Sequence, residues 1–547
     1  MPIRRTWLAR AAAALCALSF LSLVPAGSPA RAADPKPFVV VGTSDVYDSN
    51  LVQTVIEPGF EAAYPEYDLQ YVSKGTGAAI AYAQAGTAAA LLVHAAALEN
   101  QFVGDGYSLE KYGRAIFWGD YVLLGPNDDP ADVMSTGDHD IVTAFEKIAA
   151  AGAAGDANFV SRGGTPGTTV AEHIIWSHTT GVTTCQMSDA NGGGTSPSVD
   201  TGDCPASINY PDWYHATGLT QGPNIDNADV CNYPSDEGNC YVLTDRGTFQ
   251  YLKSVDRAQH LKIVTRDNDD TSRGGQSLLV NSFHAYGINP AAFPDPSATN
   301  TDAVAAKRFL NWITSAETQE EVGKFLDPSD PPFIPSAAPV LTGSGLPKAV
   351  KAGSKVTVTG TLSNVVPGMP ALNGEKVSLM RVPTAFPGSA PTKITTAKTN
   401  KKGKFSLTFK PAMNATYSLS VGKIVKIEDS HLDPVFGDIL HATSTPLSAV
   451  KVKGAVTVKK ASVKNGKLKV SGALAPKVTG KNATVVLYAA HPGKKLKPVG
   501  ETKLKNGAKS YSASFKLGSG SWRYQVHYVN AGLIKPGVSS VGTVTVP

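Results

Sequence analysis

The chain has 547 residues, 42% of them hydrophobic, which is enough to bury several cores and predicts two to four domains. Its 50 basic and 45 acidic residues nearly balance, but residues 1–340 hold 39 acids and 19 bases, whereas residues 341–547 hold 6 acids and 31 bases. Beyond the N-terminus no segment reaches the ~18 apolar residues of a membrane span, which argues against a membrane-embedded domain. The sequence therefore predicts an acidic body with a strongly cationic C-terminal part.

The first 33 residues have the layout of a secretory signal peptide: a basic start, an apolar run and a small-residue cleavage pattern at Ala30-Arg31-Ala32. Cys16 follows Leu15, where lipid attachment requires a small residue, so we do not expect a lipoprotein. We expect a secreted, extracellular protein, with association with the cell wall or cell surface as a further expectation.

From residue 37 to residue 335, short apolar strands alternate with helical patterns. FVVVGTS leads into SNLVQTVIEPGFEAAYP, LQYVSKGTG leads into AAIAYAQAG, and ALLVHAA, AIFWGDYVLLGP and ANFVSRGG follow. This alternation predicts an α/β domain with mainly parallel strands at residues 34–337, and its length of about 300 residues favours two lobes over one.

Three strand-to-helix junctions in this part share one chemistry. They are Gly42-Thr43-Ser44, Ser73-Lys74-Gly75-Thr76-Gly77 and the stretch from Ser161 to Thr169. Each combines glycines that let the backbone approach a ligand, hydroxyls that donate, and a helix N-terminus with free N–H groups and a positive dipole. Together they predict an anion-binding site with the following ligands: Thr43, Ser44, Ser73, Thr76, Ser161, Arg162 and Thr168.

Arg162 is the one permanent cation that could point into this site, and its planar guanidinium suits paired oxygen atoms. A surface salt bridge is the competing interpretation of Arg162. Thr169 and Glu172 have the spacing of a capping box at the start of the following helix, so we expect Glu172 to be structural.

Four cysteines remain after the signal peptide, all within a polar stretch that ends at residue 240: Cys185, Cys204, Cys231 and Cys240. An even number in an exported protein predicts disulfides, most simply Cys185 with Cys204 and Cys231 with Cys240, although three connectivities are possible. A zinc site is the alternative, but no CxxC spacing is present, so we expect a disulfide-stapled insertion.

Beyond residue 335 the sequence changes to Thr, Val, Ser, Lys and Gly with period-two alternation. Segments recur with an offset of about 110 residues: VTGTL at 358–362 as VSGAL at 470–474, KFSLTF at 404–409 as SYSASF at 510–515, and YSLSV at 417–421 as YQVHY at 524–528. The repeat predicts two all-β, immunoglobulin-like sandwiches, at residues 338–450 and 451–547.

Residues 38–335 resemble the tungstate-binding group of substrate-binding proteins of ABC transporters. The resemblance rests on Gly42-Thr43-Ser44, ALLVHAAALENQFVGDGY, the turn from Ser161 to Thr169, YVLTDRGTF from Tyr241 and FLNWITSAETQEEVGKF from Phe309. Where the family has SRGD-x-SGTH, this chain has Gly164, Pro166 and Thr169 in place of Asp, Ser and His. These departures leave Arg162 and Thr168 in place but concern residues that would set the selectivity among similar anions.

The resemblance implies a type II periplasmic-binding-protein fold, in which two α/β lobes joined by two crossing strands hold a ligand in a cleft. Lobe one would comprise residues 38–125 and 280–335, and lobe two residues 126–279, with crossings at WGDYVLLGPNDDP and LLVNSFHAYGINP. The implied partners are a small oxyanion, an ABC permease that senses closure, and the ATPase of that permease. Neither a cofactor nor a metal nor a catalytic residue is implied.

The chemistry of the anion favours tungstate or molybdate. Both are fully deprotonated at neutral pH and only accept hydrogen bonds, whereas hydrogen phosphate keeps one proton that needs an acceptor. The strand end Leu91-Leu92-Val93-His94-Ala95, where phosphate-binding relatives have an Asp, carries no acid. Asp45 could still supply the acceptor, so a phosphate-binding protein of the same fold is the alternative.

Other functional classes have weaker support. His173 and His178 lie five residues apart, unlike the i, i+4 pair of HExxH, and no GxSxG elbow is present, so we do not expect an enzyme. DNDDTSRGG, from Asp267, lacks the spaced ligands of an EF-hand and is typical of a solvated turn. The cationic C-terminal part predicts either a solvated face or a wall-associated, adhesive module for an anionic polymer, and no nucleic-acid-binding motif is evident.

Overall fold

The computed structural model describes residues 34–547, apart from residues 138, 165, 183, 189–194, 200–210, 234–237, 370 and 426–437. The signal peptide expected at residues 1–33 and the expected pairing of Cys185 with Cys204 lie outside the described residues.

Helices and strands alternate through the first part of the chain, as predicted. The helices are α1 Ser44–Asp48, α2 Glu57–Ala63, α3 Thr76–Gln84, α4 Ala96–Gly104, α5 Ile141–Ala154, α6 Gly167–Ser177, α7 Gln221–Val230, α8 Arg246–Ser254, α9 Ala303–Ile313 and α10 Ala316–Val322. The strands are β1 Lys36–Thr43, β2 Tyr67–Lys74, β3 Ala90–Val93, β4 Gly113–Pro126, β5 Asn158–Ser161, β6 Thr184–Ser188, β7 Thr195–Val199, β8 Tyr214–Ala216, β9 Cys240–Asp245, β10 Leu261–Thr265, β11 Val280–Gly287 and β12 Ile334–Pro335. A π-helical turn, Val52–Ile56, precedes α2, and short 3-10 helices lie at Val133–Thr136, Gln276–Leu279, Pro290–Ala292 and Pro296–Ala298.

The main sheet has the order β2-β1-β3-β11-β4-β9-β5-β8, with β10 and β12 also paired to β4. β1 is parallel to β2 and β3, and β5 is parallel to β8 and β9. β11 is antiparallel to β3 and β4, and β4 is antiparallel to β9, β10 and β12, so the sheet is mixed and not mainly parallel as expected. The 14-residue β4 pairs with β11 through residues 114–120 and with β9 through residues 121–124, so it runs from one half of the sheet into the other. The domain is therefore two-lobed. We call the half with β1, β2, β3 and β11 the first lobe and the half with β5, β8, β9 and β10 the second lobe.

Each lobe has its own aromatic core. In the first lobe the ring of Phe60 lies 5.1 Å from that of Phe38 and 5.5 Å from that of Phe309. In the second lobe the indole of Trp176 lies 4.5 Å from the ring of Phe145. Because both lobes contain parallel strands, the loops at the carboxyl ends of these strands meet where the two lobes face each other.

A disulfide joins Cys231, at the end of α7, to Cys240, at the start of β9, which is the simplest pairing predicted for these two cysteines. β6 and β7 form an antiparallel hairpin. In the part of the chain that the structure describes, no helix is long and apolar enough to cross a membrane.

The C-terminal part consists of β-strands. They are β13 Val340–Ser344, β14 Ala349–Lys351, β15 Val356–Ser363, β16 Lys376–Pro383, β17 Thr392–Lys398, β18 Lys404–Phe409, β19 Ala415–Val421, β20 Ile424–Val425, β21 Asp438–Leu440, β22 Thr443–Lys453, β23 Ala455–Val456, β24 Lys460–Lys464, β25 Lys467–Ala475, β26 Ala483–Ala490, β27 Lys497–Lys503, β28 Ser510–Lys516, β29 Gly520–Asn530, β30 Gly537–Val538 and β31 Gly542–Val546.

Apart from β20 and β21, which join the main sheet, these strands form two units of two sheets each. The first β module, residues 340–453, has the sheets β13-β15-β18 and β14-β22-β19-β16-β17. The second β module, residues 455–546, has one sheet of β23, β24, β25 and β28 and another of β26, β27, β29, β30 and β31. In each module the apolar residues of both sheets share one core.

The repeated segments lie on strands with the same pairing in both modules. β15 pairs with β18 as β25 pairs with β28, and β16 pairs with β19 as β26 pairs with β29. The offset in the sequence thus corresponds to a repeated strand order, and the immunoglobulin-like topology stays a prediction.

The first β module also contacts the first lobe, which the repeat did not predict. β21 runs parallel to β4 at Gly113 and Arg114. Beside it, the imidazole of His284 on β11 lies 2.8 Å from a carboxylate oxygen of Glu99 and 2.9 Å from one of Asp438. Burial lowers the pKa of His284, but the two carboxylates outweigh it and hold this pKa well above its ordinary value of 6.5. A buried imidazolium therefore joins the two parts of the chain.

Candidate functional site

Four helices begin where the two lobes face each other, and none of them has a side-chain cap. The N-cap residues of α1, α3, α6 and α7 are Thr43, Gly75, Pro166 and Thr220. Of the other helices of this part, α2 and α4 also lack a side-chain cap. Carboxylates or a hydroxyl cap the rest: α5, α8, α9 and α10 by Asp140, Asp245, Asp302 and Ser315. In the first turns of the uncapped helices, Val46 N–H of α1 donates to Asp45 and Gly222 N–H of α7 donates to Asp48. The other first-turn N–H groups have no side-chain cap, and the positive end of each helix dipole stays uncompensated by a cap.

The two lobes lie in close contact at these helix starts. A Cβ on Gly75 would lie 3.3 Å from the Cα of Pro166 across the cleft, and a Cβ on Gly167 would lie 2.0 Å from His94. Gly167 therefore allows an approach of α6 to the first lobe that a larger residue would block.

Arg162 connects the second lobe to the first. Its Nη2 donates to Ser44 Oγ at 3.0 Å, its Nη1 to Gln221 Oε1 at 2.7 Å and its Nε to the carbonyl of Leu219 at 3.2 Å. Burial lowers the pKa of Arg162, and the negative charges of Asp45 and Asp48 only partly oppose this. The guanidinium nevertheless stays charged, because arginine does not lose its proton in proteins. Three of its five N–H groups have acceptors among the described residues, which leaves two for a ligand.

Gln221 fixes the orientation of the polar groups in the second lobe. Its Oε1 accepts from Arg162 and, at 3.0 Å, from Thr168 Oγ1, while its Nε2 donates to Thr244 Oγ1 at 2.6 Å. Because one amide oxygen accepts both bonds, the guanidinium and the hydroxyl of Thr168 are held side by side.

The hydroxyls of Thr43 and Thr76 are buried, and no hydrogen bond of ordinary geometry reaches either within the described part of the chain. The Thr43 hydroxyl nevertheless lies close enough to Asp45 to help lower the pKa of that carboxyl. Buried hydroxyls without partners are uncommon because their desolvation costs about 1–3 kcal/mol each. Both sit at uncapped helix starts, so a bound anion would give them an acceptor.

Asp45 is a buried carboxylate that holds His94 in place. His94 Nε2 lies 2.9 Å from Asp45 Oδ2, His94 Nδ1 lies 3.0 Å from the hydroxyl of Tyr121, and Asn281 Nδ2 donates to Asp45 at 3.3 Å. Burial by itself would raise the pKa of Asp45, but the charge and hydrogen bond of His94, helped by Arg162, outweigh it and lower this pKa. Asp45 is therefore ionised, and protein donors already occupy it.

Two more carboxyl groups lie near this cluster. Asp48 accepts from the backbone N–H of Gly222 at 2.9 Å, a contact between the lobes, and burial raises its pKa. Asp245 accepts from Thr248 N at 2.8 Å and from Thr248 Oγ1 at 2.7 Å. Burial and the negative charge of Asp45 raise the pKa of Asp245 despite these two bonds. Each carboxyl group near Arg162 thus has a protein donor.

The predicted capping box is wrong, because α6 begins at Gly167 and its N-cap is Pro166. The hydroxyl of Thr169 instead donates to the carbonyl of Gly163 at 3.1 Å. Glu172 is structural, as expected, but it acts as a buried acceptor away from the helix start.

Three donors surround Glu172. Ser161 Oγ donates to it at 2.7 Å, Trp176 Nε1 at 3.3 Å, and the hydroxyl of Tyr214 also donates. Burial raises the pKa of Glu172 to about 7. The Ser161 side chain is therefore directed to Glu172 and is not placed beside Arg162.

The structure brings together Ser44, Arg162 and Thr168, and it places Thr43 and Thr76 at adjoining helix starts. No hydrogen bond among the described residues joins Ser73 to this group. Ser73 is half-buried and faces Gly42 in the register of β2 with β1.

Gln221 and the Asp45 contact with His94 are parts of this cluster that the sequence did not predict as ligands. Gln221 lies at a helix start after a polar stretch, and nothing in this local sequence marks it as part of a site. Only its hydrogen bonds to Arg162 and Thr168 in the structure identify its role. Among the described residues, no group of three or more His, Cys, Asp or Glu side chains could hold a metal ion. The arrangement suits a small anion, because it combines one fixed cation, free backbone N–H groups and hydroxyls in a buried position.

Known proteins are similar to the first part of this chain. The model of a family described as a PBP superfamily domain matches residues 24–317. A protein of Haloferax volcanii, described as an ABC transporter anion-binding protein, is 29% identical over 318 residues, which are 57% of this chain and 75% of that protein. The tungstate-binding protein TupA of Peptoclostridium acidaminophilum is 28% identical over 307 residues, 55% of this chain and 86% of the relative. Among solved structures, the tungstate-binding protein TupA from Desulfovibrio alaskensis G20 is 27% identical and matches 55% of this chain and 98% of that chain, with a TM-score of 0.38.

Proposed function

The chain belongs to the PBP superfamily, and we propose that it is the extracellular substrate-binding protein of an ABC importer that captures a tetrahedral oxyanion, with tungstate or molybdate as the preferred ligand. The relatives with 28% and 29% identity are named for binding tungstate and anions, which supports this ligand class.

One observation carries the proposal. Arg162 of the second lobe reaches Ser44 at the uncapped start of α1 in the first lobe. The buried hydroxyls of Thr43 and Thr76 lie at such helix starts as well, and that of Thr76 has no hydrogen-bond partner among the described residues. An anion placed between the lobes would accept from the guanidinium, the hydroxyls and the backbone N–H groups at once.

The magnitudes are sufficient for tight binding. Five or six hydrogen bonds to a charged group contribute about 1.5–3 kcal/mol each, and nanomolar affinity corresponds to about 12 kcal/mol. The lost translational freedom of the anion opposes this sum, so most of these bonds must form together.

Tungstate and molybdate are favoured over phosphate because the carboxyl groups near Arg162 already accept hydrogen bonds from protein donors. Asp45 accepts from His94 and Asn281, Asp48 accepts from Gly222, and Asp245 accepts from Thr248. Hydrogen phosphate would need one of these acceptors for its remaining proton, whereas a fully deprotonated dianion needs none. Phosphate is the second candidate, because Asp45 is ionised and close to Arg162.

Binding would favour the closed arrangement of the lobes, since the anion contacts both of them. The contacts of Arg162 with Ser44 and of Asp48 with Gly222 already hold the lobes together, so the ligand adds to an existing preference. A permease with its ATPase would recognise the closed form and receive the anion. Through its basic C-terminal modules the exported protein would also associate with an anionic polymer of the cell wall.

Isothermal titration of the chain without residues 1–33 tests the ligand. Tungstate, molybdate, sulfate and phosphate are titrated separately at neutral pH. We expect tungstate and molybdate to bind at least about 100-fold more tightly than phosphate, because an unpaired phosphate proton next to occupied acceptors costs about 3 kcal/mol. Tighter binding of phosphate would favour the second candidate, and binding of none of the four would reject the proposal.

A further inference from the structure

The second β module is far more basic than the rest of the chain. Residues 455–547 contain 15 lysines and one arginine but only one acidic residue, Glu501. Lysine, arginine and acidic residues are more evenly mixed in the first β module, where residues 341–454 hold 15 bases and 5 acids. The excess of positive charge is therefore larger in the second β module than in the first.

A tight turn sets the register of three lysines. Asn465 and Gly466 have φ values of 50° and 66°, as in the two-residue type I′ turn of a β-hairpin. This turn places Lys464 of β24 directly opposite Lys467 of β25, and Lys467 in turn faces Lys516 of β28. Three adjacent strands thus carry three lysines in one row.

Two further rows lie on the same side of this sheet, because side chains two residues apart on a strand share a face. Lys469 of β25 stands between Ser462 and Ser514, and the third row contains Lys460 and Ser471. We call the exposed lysines 460, 464, 467, 469 and 516 the lysine face. The alternate residues of these strands, including Leu468, are buried in the module core.

The adjacent positive charges of the lysine face destabilise the sheet, and the fold does not require them. Like charges directly opposite on neighbouring strands destabilise a sheet. The lysines that form ion pairs among the described residues are Lys147, Lys324 and Lys423, and none of these lies on this sheet. No carboxylate within the described part of the chain therefore offsets the repulsion.

The first β module has threonine at the position that corresponds to Lys469. By the repeat, Thr357 of β15 corresponds to Lys469, and Thr408 of β18 corresponds to Ser514. The hydroxyls of Thr357 and Thr408 lie 3.1 Å apart and hydrogen bond to each other. A lysine at position 469 is thus not needed for the strand pairing.

We propose that the lysine face binds a phosphodiester polymer, such as a chain of polyol phosphates. Lysine binds phosphate as a point charge, and the serines between the lysines can donate to the remaining phosphate oxygens. Neighbouring lysines are separated by about 5 Å across strands and about 7 Å along a strand, so a flexible chain can set successive phosphates against them. The face presents no aromatic ring on which a base could stack, which disfavours nucleic acid.

This inference deepens the proposed association with an anionic wall polymer and rests on that part of the proposed function. It is independent of the oxyanion cleft, since the lysine face belongs to the second β module and the cleft to the two-lobed domain.

The test uses the whole chain without residues 1–33 and a fluorescently labelled poly(glycerol phosphate) as the probe. The first variant replaces three lysines of one row, Lys464→Gln, Lys467→Gln and Lys516→Gln. We expect at least about a tenfold loss of affinity and a decrease of about 2 in the slope of log affinity against log salt, because each phosphate contact releases about 0.7 counterion.

A matched control removes the same charge elsewhere. Lys494, Lys495 and Lys497 are exposed and belong to the loop after β26 and to β27, which are part of the other sheet. Their replacement by Gln should change the affinity less than about threefold. Equal losses in both triple variants would show that binding follows net charge alone, and would overturn the proposal.

A single substitution provides a variant that is expected to fold. Lys469→Thr installs the residue type of the first module, so it should fold, and we expect about a threefold weaker binding of the probe. Unchanged binding by this variant and by the first triple variant would overturn the proposal. So would equally tight binding of polyglutamate or tighter binding of oligo-dT, since these outcomes would indicate carboxylate or nucleic-acid recognition. Tungstate affinity should stay unchanged in all these variants, so a failure here leaves the oxyanion proposal intact.

Discussion

Replacement of Arg162 by alanine should weaken oxyanion binding more than any other single substitution in the cleft. The guanidinium is 6% exposed and is held by Ser44, Gln221 and the carbonyl of Leu219. Alanine removes the fixed cation and both N–H groups that remain for a ligand.

The size of the effect follows from these two groups. Hydrogen bonds to a charged partner contribute about 1.5–3 kcal/mol each, so the loss of two costs about 3–6 kcal/mol. This loss corresponds to an increase in Kd of about 10² to 10⁴-fold. Arg162→Lys keeps the charge but loses the planar fork, so we expect an intermediate increase of about 10 to 100-fold.

The assay is isothermal titration of tungstate into the wild-type chain and both variants, with circular dichroism to show that each variant is folded. Arg308→Ala is the matched control, because Arg308 is 39% exposed on α9 and pairs with Glu66 on the surface. It removes one positive charge from the first lobe without touching the cleft, so its Kd should stay within about threefold of wild type. If folded Arg162→Ala bound tungstate as tightly as this control does, the assignment of the site would be refuted.

Three other predictions concern Glu172, His284 and the disulfide. Burial raises the pKa of Glu172 from 4.5 to about 7, so the unfolded chain loses this proton at lower pH than the folded chain does. The free energy of unfolding should therefore fall by up to about 3 kcal/mol from about pH 5 to about pH 8. Urea denaturation at both pH values should show that Glu172→Gln removes this loss, and an unchanged pH dependence in the variant would contradict the explanation. Because the folded pKa of His284 is raised, its stabilising contribution is complete below the ordinary value of 6.5 and disappears only as the pH rises through the folded pKa. His284→Gln should leave Asp438 buried without its cation and speed amide hydrogen exchange in β21 by at least about tenfold at neutral pH, while equal exchange in wild type and variant would show that the imidazolium does not hold this strand. Replacing Cys231 and Cys240 together by serine opens a loop of nine-residue separation and should lower the free energy of unfolding by about 3 kcal/mol in urea titrations, and an unchanged free energy of unfolding would contradict this.

The alternation of strands and helices and the placement of the junctions could be predicted from local sequence, because both depend on hydrophobic periodicity and on glycine-rich turns. β1, β2 and β5 end where the junctions were expected, and α1, α3 and α6 follow them. The repeat in the C-terminal part was equally visible, since it lies on strands with the same pairing.

The contact of β21 with β4 could not be predicted, because it joins segments more than 300 residues apart in the sequence. Nothing in the local pattern around Asp438 distinguishes a strand that pairs with another domain from one that completes its own sheet. The buried His284 contact has the same origin: its three members come from α4, β11 and β21.

For the candidate site, the sequence predicted Arg162, Ser44 and Thr168 as neighbours, and the structure places them within hydrogen-bonding distance of one another or of Gln221. Ser161 was predicted to be a ligand as one of the hydroxyls of the third strand-to-helix junction, but it is the last residue of β5 and lies close to the buried Glu172 of α6. Its hydroxyl is therefore directed to Glu172.

The capping box was predicted from spacing that is common at helix starts, and the turn with Gly163 and Gly164 explains why it does not form. Both glycines have positive φ values, 64° and 68°, which let the chain turn early so that α6 begins at Gly167. Such a shift of the helix start by a few residues is decided by backbone conformation that the spacing of side chains does not reveal.

The most direct test of the oxyanion site is a crystal of the protein grown with tungstate, with anomalous diffraction measured at a tungsten absorption edge. We predict one strong anomalous peak between the lobes, within hydrogen-bonding distance of Arg162 and of the start of α1. A peak elsewhere on the molecule, or no peak at a saturating concentration of tungstate, would contradict the account.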